Sequence, residues 1–170
     1  MPKAFYRRQL PHLQRHGKPH FLTFCTNQRW ILPEGIRSIV LECCLHDEGI
    51  KTNIQVVVVM PDHVHMIFTP LVNQRAMEVY SLAEITDAIK GASAHKVNQA
   101  MERHGQVWQP ESFDHVLRSS ESLLHKVQYV LENPLRQGLA AGGKVIPGSG
   151  RSRSSTLMLY RLRVLTQAGH

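Results

Sequence analysis

Two β-rich runs separated by a minimal turn constrain this chain more than any other feature. Ile54–Met60 reads IQVVVVM, Pro61-Asp62 follows, and His63–Phe68 reads HVHMIF. Short apolar, β-branched runs flanking a turn pair predict a β-hairpin. Val56–Val59 is apolar at consecutive positions, so both pleat faces of that strand should be covered, as expected of a central strand. The second run alternates. His63, His65, Ile67 and Thr69 share one face, while Val64, Met66 and Phe68 share the other and are suited to lie beneath helices.

The rest of the chain is arranged around that hairpin. FLTFCT (21–26) predicts a first strand. Pro33 suits a first helical turn, and Ile36, Ile39, Val40, Cys43 and Cys44 carry helical spacing to about Asp47, with Gly49 as the stop. Ser81-Leu-Ala-Glu84 is a capping box that opens a second helix running to about Met101. VWQ (107–109) and FDHVL (113–117) predict two short strands. A third helix begins near Ser119 or Ser120 and should end about Asn133, because a residue before proline disfavours the α region. The order β–α–β–β–α–β–α predicts an α+β, ferredoxin-like antiparallel sheet with helices packed on one face, the other being open to nucleic acid. The predicted organisation is a basic arm (1–19), a principal domain (20–139), and a Gly/Ser-rich linker with a basic tail (140–170), where 157–165 forms a last short element.

Charge narrows the function. Twenty Lys+Arg against 13 Asp+Glu give net +7, and a basic globular domain commonly meets a polyanion, since neutralising phosphates releases counterions. A hydrophobic fraction of 42% supports a real core. The three cysteines lack C-x-x-C spacing and read as buried apolar groups in a reducing compartment. With no apolar leader-like segment and no run of membrane-spanning length, a cytoplasmic protein with no membrane partner is expected.

The chemistry-bearing candidates fall on one strand and one helix. His63 and His65, on adjacent same-face positions, are close enough to ligate one divalent ion, although alternating histidines also occur as polar residues of half-exposed strands. In the third helix Leu123, Leu124, Val127, Val130 and Leu131 form the apolar stripe. Tyr129 and Asn133 lie off it, one turn apart, with His125 a turn further back. Either Tyr129 is an ordinary exposed tyrosine, or the amide of Asn133 joins the histidines at a metal and the Tyr129 phenol faces the substrate. A divalent cation would offset the charge of a phosphodiester, and a phenol is a more readily ionised nucleophile than an aliphatic alcohol.

MPDHVHMIF, VWQPESFDHVLR and YVLENPLRQGL resemble the signature blocks of the REP-associated tyrosine transposases, within the His–hydrophobic–His class of single-strand DNA endonucleases. The likeness runs over about residues 20–139. It implies a ferredoxin-like fold, Mg²⁺ or Mn²⁺ dependence, and strand transfer through a 5′-phosphotyrosine with a free 3′-OH. By motif, His63, His65 and Asn133 become the metal ligands and Tyr129 the nucleophile. The implied substrate is a palindromic repeat folded as a hairpin with a single-stranded foot. The tail after Gly138 departs from the family's pattern, lacking an expected tryptophan-containing segment.

Candidate DNA contacts are Arg7, Arg8, Arg15 and Lys18 in the arm, Lys90, His115 and Arg118 in the body, and Arg151 and Arg153 in the tail, with Arg161 and Arg163 beyond. Two other readings compete. A non-catalytic hairpin-binding regulator would keep the fold without the chemistry. A histidine-triad nucleotide hydrolase would want a third histidine where this chain has Ile67.

Overall fold

The computed structural model describes residues 17–136, 144–147 and 160–163, with side chains through Asn133. Four antiparallel strands form the principal sheet: β1 (His20–Thr26), β2 (Thr52–Val59), β3 (His63–Pro70) and, after a small β4–β5 hairpin (Val72–Asn73, Glu78–Val79), β6 (Trp108–Val116). Their spatial order is β2-β3-β1-β6. Helices α1 (Glu34–Leu45), α2 (Leu82–Ala100) and α3 (Ser120–Arg136) complete the body. A separate ribbon pairs β7 (Lys144–Pro147) with β8 (Tyr160–Arg163), and β8 runs beside β2. The fold is the expected α+β, ferredoxin-like one. VWQ and FDHVL join into the single strand β6, whose pairing with β1 shifts register between Phe24 and Thr26.

Two expectations need correction, and one physical fact accounts for both. Helices cover both faces of the sheet. On one side Leu22, Phe24, Val57, Val59, Val64, Met66 and Phe68 pack with Val40, Leu41 and Cys44 of α1 and Ile85, Ile89 and Val97 of α2. On the other, Phe21, Val56, Val58 and Ile67 pack with Val130 and, at its margin, Leu123, Val127 and Leu131 of α3. The expectation of helices on one face therefore holds for α1 and α2 only. The double-sided apolarity of β2, expected to mark a central strand, reflects cover from above and below, for β2 is an outer strand of the four.

Local chemistry explains several element ends. Ser81 Oγ accepts a hydrogen bond from the Glu84 amide at 3.1 Å, so the predicted N-cap of α2 forms. A bulge at Gln55 lets Ile54 share a face with Val57 and Val59 despite the odd spacing. Helix α3 does not stop at Asn133. It runs two residues past Pro134, whose missing amide removes one ladder bond in a final turn that has few left to lose. Leu124, assigned to the apolar stripe, is half exposed. Arm residues 1–16, the 139/140 boundary, and the expectations at Arg7, Arg8, Arg15, Arg151 and Arg153 lie outside the described residues, as do the side chains of Arg161 and Arg163.

Candidate metal and nucleophile site

The site lies on the sheet face covered by α3, which packs over β2 and β3. Strand β3 pairs with β1 so that His63 stands opposite Cys25 and His65 opposite Thr23. Both imidazoles are buried, and their Nε2 atoms approach to 3.1 Å. Each ring is turned by a partner on its outer nitrogen: Nδ1 of His63 lies 2.7 Å from Asp62 Oδ1, and Nδ1 of His65 lies 2.8 Å from Thr23 Oγ1. When those outer nitrogens carry the protons, two Nε2 lone pairs point into one small space. Two lone pairs so close repel each other unless a proton or a cation lies between them.

The spacing suits a metal. Cis ligands about 2.1 Å from an octahedral ion are about 3.0 Å apart, close to the observed 3.1 Å separation. From α3, the Asn133 amide nitrogen donates to His63 Nε2 at 3.3 Å. Exchanging the ends of that amide, which differ only in hydrogen-bond assignment, presents Oδ1 to the same space. Asn133 is buried rather than placed on a solvent face, and the amide is thereby held against the histidines. Among the described residues no group of three His, Cys, Asp or Glu side chains could hold a metal; the third polar group beside the two imidazoles is the Asn133 amide.

Burial, first, and then the positive charges of His63, Lys126 and Arg29 pull the His65 pKa down to about 4. At neutral pH this imidazole is uncharged, as a ligand must be. One turn before Asn133, the Tyr129 ring packs edge-on to His65 with centroids 6.1 Å apart and is 41% exposed. The nucleophile candidate therefore stands beside the donor cluster yet open to solvent on its outer side.

Sequence reasoning missed four neighbours. Asp62 and Thr23 orient the histidines; Asp62 is adjacent in sequence, whereas Thr23 becomes visible only through the β1–β3 register. Arg29 bonds Asp62 Oδ2 at 2.9 Å from a turn in which Gln28 and Arg29 both have positive φ, 52° and 57°. Non-glycine residues in the left-handed region are strained, and such strain tends to gather at functional sites. Lys126 lies over the rings of Phe21 and Tyr129, at 4.5 and 5.2 Å. Its place three residues before Tyr129 on the same helix was the available signal.

The other candidates are scattered. His125 is exposed, and the neighbouring Lys126 makes the ring contacts. Lys90 directs its ammonium to the Gln109 and Pro110 carbonyls and Ser112 Oγ, at 2.7, 3.0 and 3.2 Å, so its three protons serve β6 rather than a phosphate. His115 is exposed on β6 opposite Phe21. Lys18 donates to the carbonyl of the exposed Arg118 at 3.4 Å, away from the histidine pair.

The fold recurs in a solved REP-associated tyrosine transposase bound to a REP hairpin, at 23% identity and a TM-score of 0.55 over 81% of this chain and 76% of that one. A putative transposase from Deinococcus radiodurans aligns at 23% identity over 78% of this chain and 97% of that one, with a TM-score of 0.44. No curated protein matches the chain. Residues 14–131 match the family described as Transposase IS200 like, and the chain belongs to that family.

Proposed function

We propose that this protein cuts and rejoins single-stranded DNA at the foot of a hairpin, with Tyr129 as nucleophile and Mg²⁺ or Mn²⁺ held by His63, His65 and Asn133. The observation that carries the reading is the convergence of the two Nε2 atoms and the Asn133 amide, delivered by the helix that sets Tyr129 beside His65. The hairpin foot as substrate follows from the resemblance to REP-associated transposases and from the hairpin bound by the structural relative.

The ion would offset charge on the non-bridging oxygens of the phosphate. The chain's own residues do the rest. Asp62 and Thr23 hold the imidazoles with their donor nitrogens inward. The Tyr129 phenol gives its proton to water, and its oxygen bonds to phosphorus as the bond to the 3′ oxygen breaks. The 3′ oxygen takes up a proton and leaves as a free hydroxyl, while the 5′ phosphate stays on the tyrosine. Attack by a 3′-OH on that ester reverses the step and reseals a strand without external energy. Lys126 adds positive charge beside the phenol and the incoming phosphate.

Tyr129→Phe deletes one oxygen and keeps the ring, so fold and hairpin affinity should persist while cleavage and the covalent adduct disappear. On a denaturing gel, wild-type protein should retain label placed 3′ of the cut. Cleavage by Tyr129→Phe, with no adduct in wild type, would mean that water attacks and the protein is a hydrolytic nuclease. Hairpin binding without cleavage by wild type in Mn²⁺ would favour the non-catalytic regulator.

A further inference from the structure

Strand β6 forms the outer edge of the sheet beyond β1, and one of its residues is out of character there. Phe113 is 60% exposed. It stands opposite Thr23, so it shares the face that carries Thr23 and His65. A single exposed apolar side chain is ordinary. This one, however, ends a continuous aromatic series. The His65 ring stacks on Phe21 at 5.4 Å and 28°, and Phe21 meets Phe113 edge-on at 6.3 Å and 68°. Buried Phe21 thus meets the outer ring from the core side, and the Lys126 ammonium lies 4.5 Å over the Phe21 ring.

A supported, solvent-facing aromatic ring, with a cation over the ring that supports it, suits an unpaired nucleobase and its phosphate. Even at the stacked rise of about 3.4 Å per nucleotide, the two centroid steps from His65 to Phe113 span about three nucleotides, and fewer when the strand is extended. Resting on the reading given under Proposed function, we propose that Phe113 is a stacking platform for one unpaired base of the single strand, within about three nucleotides of the phosphate that is cut.

The test is an abasic scan. Hairpin oligonucleotides carrying one abasic site at each position flanking the cut are titrated against wild type, Phe113→Leu and Phe113→Trp, with Tyr129→Phe added in each background to prevent turnover. Stacking on one aromatic ring corresponds to an affinity change of about 5- to 150-fold. Wild type should show such a loss at one abasic position. Phe113→Leu, which keeps apolar bulk, should bind the intact hairpin that much more weakly and be indifferent to the same abasic site; Phe113→Trp should restore both. Identical abasic profiles in wild type and Phe113→Leu overturn the proposal. So does a change in oligomeric state with Phe113→Leu at unaltered DNA affinity, which would make the ring a contact between copies of the chain. Adduct formation by the protein with Tyr129 intact keeps the two readings apart. Normal adduct with unchanged profiles removes only the platform, whereas absence of adduct removes the tyrosine mechanism.

Discussion

Folded His65 accepts a proton only near pH 4, whereas an unfolded imidazole does so near 6.5. Between those values the unfolded chain holds the extra proton, so acid draws the equilibrium toward unfolding. Stability is unaffected by this group above about pH 7 and is lost progressively as pH falls through the window. From pH 7.5 to 5 the difference in proton uptake integrates to about 2 kcal/mol. Urea denaturation in chelator at several pH values measures it. His20, whose pKa is lowered mainly by burial, adds a slope of the same sign, so the informative quantity is a difference. His65→Gln should flatten the fall between pH 7.5 and 5 by about 2 kcal/mol relative to wild type. It keeps an amide near His63 and Thr23, limiting the cavity. Parallel curves for wild type and His65→Gln would show that the buried ring is not held neutral, and the case for a ready metal donor would fail with it.

Asp62→Asn tests the orientation of His63, for it removes the carboxylate that accepts from Nδ1 and the ion pair with Arg29. Mn²⁺ affinity, followed by electron paramagnetic resonance, should fall about 10- to 100-fold; unchanged affinity would leave Asp62 without a role at the metal. Lys90→Met should lower stability by about 1–3 kcal/mol through loss of its bonds to β6. The salt dependence of hairpin binding should not change, and a shallower slope would return Lys90 to the list of phosphate contacts.

The fold was legible largely because period and punctuation agreed. Alternation in HVHMIF placed Val64, Met66 and Phe68 beneath the helices, and the Ser81 cap opened α2 where the capping box stood. Misreadings arose where one local signal had two tertiary causes. Four consecutive valines mean cover on both faces, and a buried middle strand and an outer strand between helices satisfy that equally. Pro134 forbids an ideal continuation but not a last turn. At the site, the His63–His65 and Tyr129–Asn133 spacings were readable, since each pair lies within one element. Thr23, Arg29 and Phe21 were not, because their proximity depends on strand register and on a turn with positive φ.

The parity of β3 has a genetic consequence. Odd positions from His63 face α3 and carry the proposed donors, and even positions fill the opposite core. A one-codon insertion or deletion between His63 and Ile67 would exchange the two sets at one end of the strand, sending imidazole into the apolar layer and Val64 or Met66 to the face beneath α3. Such lesions should appear in a library as insoluble protein, not as folded but inactive enzyme. Inactive alleles that still fold would therefore be enriched in point substitutions at His63, His65, Tyr129 and Asn133, and depleted of length changes in that strand.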